Sequence, residues 1–180
     1  MIEVEKKFQP TEEQLEKLLA DSEFMGEKNL DDIYYDYSDY RLLEKEVRFR
    51  SRNSNFELKI GKKSGTALEI EDPEEIKKYF NTDLNLEDFI KQNLKPFISY
   101  TTNRKKYKNG DFVIDVDSLS FGYDVVEIEL LVENEDQVED AESKILEFAK
   151  KYDFEIKKIP AKRAKYLEII KPELYKELYN

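Results

Sequence analysis

Met1-Ile2-Glu3-Val4-Glu5-Lys6-Lys7-Phe8 is the stretch from which the rest of the chain is read. With a period of two it places Ile2, Val4, Lys6 and Phe8 on one face of a strand and Glu3, Glu5 and Lys7 on the other. A single strand of this kind is an ordinary half-exposed strand. The same alternation returns at least five more times, and that repetition makes it a statement about the fold.

Working outward, Pro10-Thr11-Glu12-Glu13-Gln14 predicts a helix start, with Thr11 capping and Leu15, Leu18 and Leu19 on one stripe up to Asp21-Ser22. Asp32 to Tyr37 reads as a second strand, rich in tyrosine. Val47 to Arg52 reads as a third, with Arg48, Arg50 and Arg52 on one face. Phe56 to Ile60 gives a fourth, with Glu57 and Lys59 opposing apolar residues. The turn Gly61 to Gly65 leads to a fifth, Leu68 to Glu71. Asp72-Pro73-Glu74-Glu75 opens a helix, and a second helical segment around Leu86 to Ile90 ends before Pro96. Ile98 to Tyr107 and Asp111 to Asp117 flank Asn109-Gly110, the signal of a type I′ hairpin. Tyr123 to Val132 is the eighth strand, with Glu127 and Glu129 on one face. Glu135 to Lys151 is an amphipathic helix whose stripe is Val138, Ala141, Ile145, Phe148 and Ala149. Ile159 to Arg163 reads as a loop before a helical tail carrying Leu174 and Leu178.

Composition removes whole classes of chemistry. The 180 residues contain no cysteine and no histidine, so thiolate sites, histidine-ligated zinc and histidine general bases are excluded. A formal net charge of -11 argues against a non-specific nucleic-acid binder. No apolar run approaches membrane length and the charged start is unlike a signal peptide, so a soluble, cytoplasmic protein is expected. Six of the eight strands oppose ionisable groups to apolar ones. Either the charged faces meet water on an open antiparallel sheet, or they line the lumen of a closed barrel jacketed by helices. Segregated blocks of cations and anions, and arginine where lysine would serve for solubility, favour the barrel.

Glu3-x-Glu5-x-Lys7 resembles the ExExK signature of the CYTH superfamily, the triphosphate tunnel metalloenzymes. That group spans thiamine triphosphatases, inorganic triphosphatases, class IV adenylyl cyclases and RNA triphosphatases. Arg48-x-Arg50, Lys59, Arg104, Asp115-x-Asp117, Glu127-x-Glu129 and Lys162 stand in the order of the family's tunnel residues. The similarity is nearest to the thiamine triphosphatase branch, through Tyr34-Tyr35-Asp36, Phe121-Gly122-Tyr123 and Pro160-Ala161-Lys162 as well. One departure concerns the base: that branch packs a tryptophan on the thiamine ring, whereas this chain has none and carries Glu46 near that place.

The resemblance implies one tunnel domain over residues 1–180, an α+β fold in which a closed eight-stranded antiparallel barrel with a charged lumen is jacketed by helices. It implies a metal-dependent phosphohydrolase of a small organic or inorganic triphosphate. The alternatives are an inorganic tripolyphosphatase, a cyclase making cyclic AMP, and a non-catalytic polyphosphate binder. Lys7, Arg48, Arg50, Lys59, Arg104 and Lys162 are the expected phosphate clamp, since a triphosphate carries about four negative charges. Glu3, Glu5, Asp115, Glu127 and Glu129 need a cation between themselves and phosphate, and an all-oxygen set suits magnesium, with manganese possible. Asp117 and Glu57 are left either as exposed strand-face groups or as supports behind the ligands. Lys7, with Tyr34 as partner, is expected to act on water, its pKa lowered by neighbouring cations. The expected partner is a small triphosphate, with no nucleic acid and no membrane, in a monomer or homodimer.

Overall fold

The computed structural model describes residues 2–61 and 67–179. The expected turn Gly61 to Gly65 therefore lies largely outside the described residues. All eight expected strands are present: β1 (Ile2–Phe8), β2 (Glu23–Asp36), β3 (Val47–Arg52), β4 (Asn55–Gly61), β5 (Ala67–Ile70), β6 (Lys95–Asn109), β7 (Phe112–Leu119) and β8 (Tyr123–Val132). They form one antiparallel sheet in the order β1-β8-β7-β6-β2-β3-β4-β5. Among the described residues no pairing joins β1 to β5, so the fold observed is α+β with an eight-stranded antiparallel sheet, and the closed barrel is not part of it.

Seven helices accompany the strands among the described residues: α1 (Glu12–Ala20), α2 (Arg41–Glu44), α3 (Pro73–Phe80), α4 (Leu86–Asn93), α5 (Val138–Lys151), α6 (Lys162–Ile170) and α7 (Pro172–Tyr179). No helix is long and apolar enough to cross a membrane. The chain divides into two compact units, one of Met1–Asn29 with Thr102–Asn180 and one of Leu30–Thr101.

In the first unit the apolar faces of β1, β7 and β8 meet α5. Val4, Phe8, Ile114, Val126 and Ile128 pack with Val138, Ala141, Ile145 and Ala149 in one buried cluster. Each aliphatic as deeply buried as Ile128 or Ile145 contributes about 1.5–3 kcal/mol. Lys6, the charged residue on the apolar face of β1, reaches out to Glu142 of α5 at 2.9 Å. Thr11 caps α1 as expected, with Gln14 closing the capping box.

In the second unit Val47, Phe49 and Leu58 pack against Ile76, Leu86 and Phe89 of α3 and α4. Asp72 caps α3 through the amides of Glu74 and Glu75, with proline following it in the first turn. Asp36 ends β2 as a buried cap, accepting from the amides of Tyr37, Leu42 and Leu43.

Four local expectations change. β2 begins at Glu23, nine residues before Asp32, and α2 was not foreseen. α6 begins at Lys162, within the expected loop. The β6–β7 hairpin turns on Gly110-Asp111 between the paired Asn109 and Phe112, with positive φ (59°) at Gly110 alone, which fits a type II′ turn and not the I′ turn on Asn109-Gly110. The turn with two positive φ values is Asn53-Ser54, joining β3 to β4.

Candidate functional site

Antiparallel register builds the first charged face. Lys7 of β1 lies opposite Glu127 of β8, Glu127 opposite Asp115 of β7, and Asp115 opposite Lys106 of β6. Two residues along each strand the same side continues with Glu5 opposite Glu129, and on the other side with Arg104 opposite Asp117. Because the reverse face of each strand is committed to the α5 core, all of these groups are forced onto one surface. That surface is not an open solvated sheet face. Asp115 and Asp117 are fully buried, Glu127 is 4% exposed and Glu129 8%.

The carboxylates converge as two overlapping groups, Glu3 with Glu5 and Glu129, and Asp115 with Glu127 and Glu129. Within each group the ligand oxygens lie within 4.8 Å of one another. All five carboxylates expected to hold a metal thus come together, joined through Glu129. Asp117 is not an exposed strand-face group: Arg104 grips it with two hydrogen bonds of 2.7 and 2.6 Å, and Lys162 closes on it from the start of α6. Arg104 also reaches Asp115 and Glu127, and Lys162 reaches Glu127 at 2.7 Å. Lys106, absent from the expected set, lies 3.0 Å from Asp115 and 3.8 Å from Glu129.

The electrostatics divide the cluster. Burial alone would raise the pKa of Glu127, but Lys162, Lys7 and Arg104 outweigh it and hold the carboxyl well below the usual range. Glu129 goes the other way. Burial, reinforced by Asp115 and Glu3, pushes it up to about 8 against the opposing pull of Lys106. Asp115 has Arg104 and Lys106 at ion-pair distance, yet neither of its buried oxygens meets a donor aligned for a hydrogen bond. Among the described residues Asp115, Asp117, Glu127 and Glu129 crowd around Lys7, Arg104, Lys106 and Lys162, with Glu5 beside Lys7 and Glu3 within reach of Glu129. Hard oxygen donors, incompletely satisfied and without competing nitrogen or sulfur ligands, fit magnesium or manganese.

Lys7 departs from expectation. Its neighbours are carboxylates and not cations: it pairs with Glu5 and, at 3.1 Å, with Glu127. Burial pulls its pKa down, but Glu127 and Glu5 together raise it above the ordinary lysine value. Lys7 is therefore an ammonium here, and the neutral amine expected from a cationic surround is not what its neighbours produce.

The second unit carries its own charged face. Register sets Asp32 opposite Arg52, Tyr34 opposite Arg50 and Arg50 in turn opposite Glu57, and Arg48 opposite Lys59 and Lys59 in turn opposite Glu69. Arg52 binds Asp32 through two hydrogen bonds of 2.8 Å. Arg50 donates to Glu57 at 2.7 Å and to the Tyr34 hydroxyl at 3.0 Å. Lys59 pairs with Glu69 at 3.7 Å. Among the described residues the buried Nε of Arg48 has no hydrogen-bond partner. Glu57 is half-buried on Arg50, so it supports that arginine. The Tyr34 hydroxyl also lies 3.3 Å from that of Tyr100. Burial raises the Tyr34 pKa, and Arg50, the hydrogen bond with Tyr100 and Arg52 together bring it below the ordinary tyrosine value. The hydroxyl partners of Tyr34 are thus Arg50 and Tyr100, whereas the partners of Lys7 are Glu5 and Glu127.

Sequence reasoning missed Lys106, Asp32 and Arg52 as members of these networks. The period-two signal for Lys106 was present in Arg104-Lys105-Lys106, but only the β6–β7 register sets it against Asp115.

The model of the CYTH domain family matches residues 1–160. No curated protein sequence matches the chain. Among solved structures, a protein of Pyrococcus horikoshii OT3 matches with a TM-score of 0.67 at 23% identity, over 92% of this chain and 98% of its own. A candidate adenylate cyclase of Vibrio parahaemolyticus gives 0.66 at 15% identity, over 93% and 98%. A candidate adenylyl cyclase of Hippeastrum, described as revealing a dominant triphosphatase activity, gives 0.58 at 14% identity, over 93% and 95%. At these identities the likeness is one of fold.

Proposed function

The chain belongs to the CYTH domain family, and on that premise we propose that it is a metal-dependent triphosphate phosphohydrolase of the thiamine triphosphatase kind. The observation that carries this reading is the convergence of Asp115, Glu127 and Glu129 in one buried group, in which neither oxygen of Asp115 meets an aligned donor. Glu3, Glu5, Asp115, Glu127 and Glu129 are the proposed holders of magnesium or manganese. A divalent cation bound there supplies positive charge against phosphoryl oxygens.

Hydrolysis of a phosphoanhydride is largely a matter of positioning and charge. Arg104, Lys162 and Lys7 would turn from carboxylate to phosphate oxygens as the carboxylates engage the metal. Arg104 keeps its two-point grip on Asp117, so its fork stays oriented while Nη1 is free to exchange Asp115 for a phosphate oxygen. In the second unit Arg48, with its unpartnered Nε, is the readiest phosphate-binding cation, and Arg50 and Lys59 each require exchange with Glu57 or Glu69. The absence of tryptophan weighs against stacking on a thiamine ring, so tripolyphosphate and thiamine triphosphate are both proposed substrates.

The test is incubation with magnesium and, separately, tripolyphosphate, thiamine triphosphate and ATP. Released phosphate, lost by roughly 10²-fold or more in EDTA and restored by magnesium, is the expected result. Cyclic AMP from ATP without phosphate release would make the chain a cyclase. Full activity in EDTA would remove the metal from the reaction.

A further inference from the structure

Lys106 differs from the three other cations of the carboxylate cluster in what it touches. Arg104 and Lys162 each hold Asp117, which stands outside both candidate metal groups. Lys7 divides itself between Glu5 of one group and Glu127 of the other. Both partners of Lys106, Asp115 and Glu129, belong to the single group Asp115-Glu127-Glu129. Its ammonium therefore competes for the oxygens that a divalent cation would need. It also has a way out. The Lys106 side chain is 38% exposed, against 12% for Arg104, 14% for Lys162 and 20% for Lys7. A lysine head on a flexible four-carbon stem hydrates well once released, whereas a guanidinium fixed at two points does not leave.

We propose that Lys106 is a tethered competitor for the divalent cation, an ammonium that holds Asp115 and Glu129 in the metal-free chain and swings to water when the ion binds. This rests on the reading above that the cluster takes a metal. Two consequences follow from the exchange. The affinity for the ion alone is set below what the carboxylates would otherwise give. The released ammonium then stands beside the ion without a partner, so a phosphate oxygen can restore the lost ion pair, and metal and anion favour each other's binding reciprocally.

The probe is Mn2+ added to the full chain at neutral pH with no triphosphate present, free ion being read by its electron paramagnetic resonance signal. Lys106→Met is expected to bind Mn2+ about 10-fold more tightly than the natural chain, the order for removing a unit charge 3–4 Å from the ligands at a partly exposed site. Lys106→Arg, which keeps the charge, should stay within about 3-fold of the natural chain. Lys6→Met removes a charge committed to Glu142 on the opposite face and should change affinity less than about 2-fold. Equal affinity in the natural chain and Lys106→Met overturns the proposal, and so does a tightening that Lys6→Met shares. Mn2+ bound by none of the chains overturns the metal reading itself and this inference with it.

Discussion

On the charged face of residues 30–101, Asp32, Glu57 and Glu69 each hold a cation and, among the described residues, the buried Nε of Arg48 has no hydrogen-bond partner; on that of the other unit, Asp115, Glu127 and Glu129 converge in one buried group and neither oxygen of Asp115 meets an aligned donor. Both faces arise from the same alternation of charged and apolar residues, and both lie behind an apolar core that fixes which side the charges take. Their balances differ in sign. A face with cations to spare attracts an anion, and a face with carboxylates to spare attracts a metal ion. Alternation alone thus predicts a charged surface, while the pairing across strands decides what that surface can bind.

The comparison breaks most visibly at its buried aspartates. Asp32→Asn removes a two-point partner from Arg52 and leaves that arginine beside Arg50, at a cost of about 2–4 kcal/mol. Asp115→Asn removes a carboxylate that has no aligned donor and lies against Glu127 and Glu129, and should cost less than half as much in chelated protein, while abolishing metal binding. Thermal unfolding of both variants in EDTA checks this, and equal losses would mean the two faces are balanced alike.

Lys7 comes next. As an ammonium held by Glu127 and Glu5, it should be replaceable by another cation. Lys7→Ala is expected to lose about 10² in kcat and Lys7→Arg to stay within about 10-fold of the natural enzyme. A pH–rate profile with an alkaline limb that Lys7→Arg abolishes would restore the neutral amine.

The carboxylate surplus should also appear as a pH dependence of stability. Glu129 titrates near 4.5 when unfolded and near 8 when folded, so between these values the native chain keeps a proton that the unfolded chain has released. Raising the pH through that window therefore favours unfolding, by at most about 1.4 kcal/mol per pH unit. Melting temperatures in EDTA from pH 5 to 8.5 should fall, and Glu129→Gln should flatten the trend. A flat profile in the natural chain would mean the surplus is neutralised some other way.

The smallest effect on the fold belongs to Arg48. With no partner at Nε, Arg48→Gln should shift stability by less than about 0.5 kcal/mol while raising the KM for a triphosphate. A loss of stability matching that of Asp32→Asn would show Arg48 to be structural.

The strands and long helices were legible because each carries an unbroken period. The first part of β2 was not, since Glu23 to Asp31 is largely exposed, carries Gly26 at φ 139° and shows no clean alternation. α2, at four residues, is too short to show a period. The five carboxylates of the candidate metal site were legible as types and positions. Their burial, and the sign of Lys7's surroundings, were not, because both depend on which strand lies alongside which. Lys7 meets Glu127 only through pairing between strands far apart in the chain.

That last pairing has a consequence for the order of assembly. Residues 30–101 are one continuous stretch and can condense as soon as they leave the ribosome, whereas the carboxylate cluster needs β1 to wait for β8 and for Lys162 of α6. Closing a loop from residue 7 to residue 127 is entropically costly and slow compared with the local hairpins β3–β4 and β6–β7. Until β8 arrives, Glu3 and Glu5 lie on an unpaired edge where water and salt screen them, and the mutual repulsion of the six carboxylates is met only at the final step. Divalent cation present during synthesis would thus act latest on the chain, at the moment when the repulsion it relieves first exists.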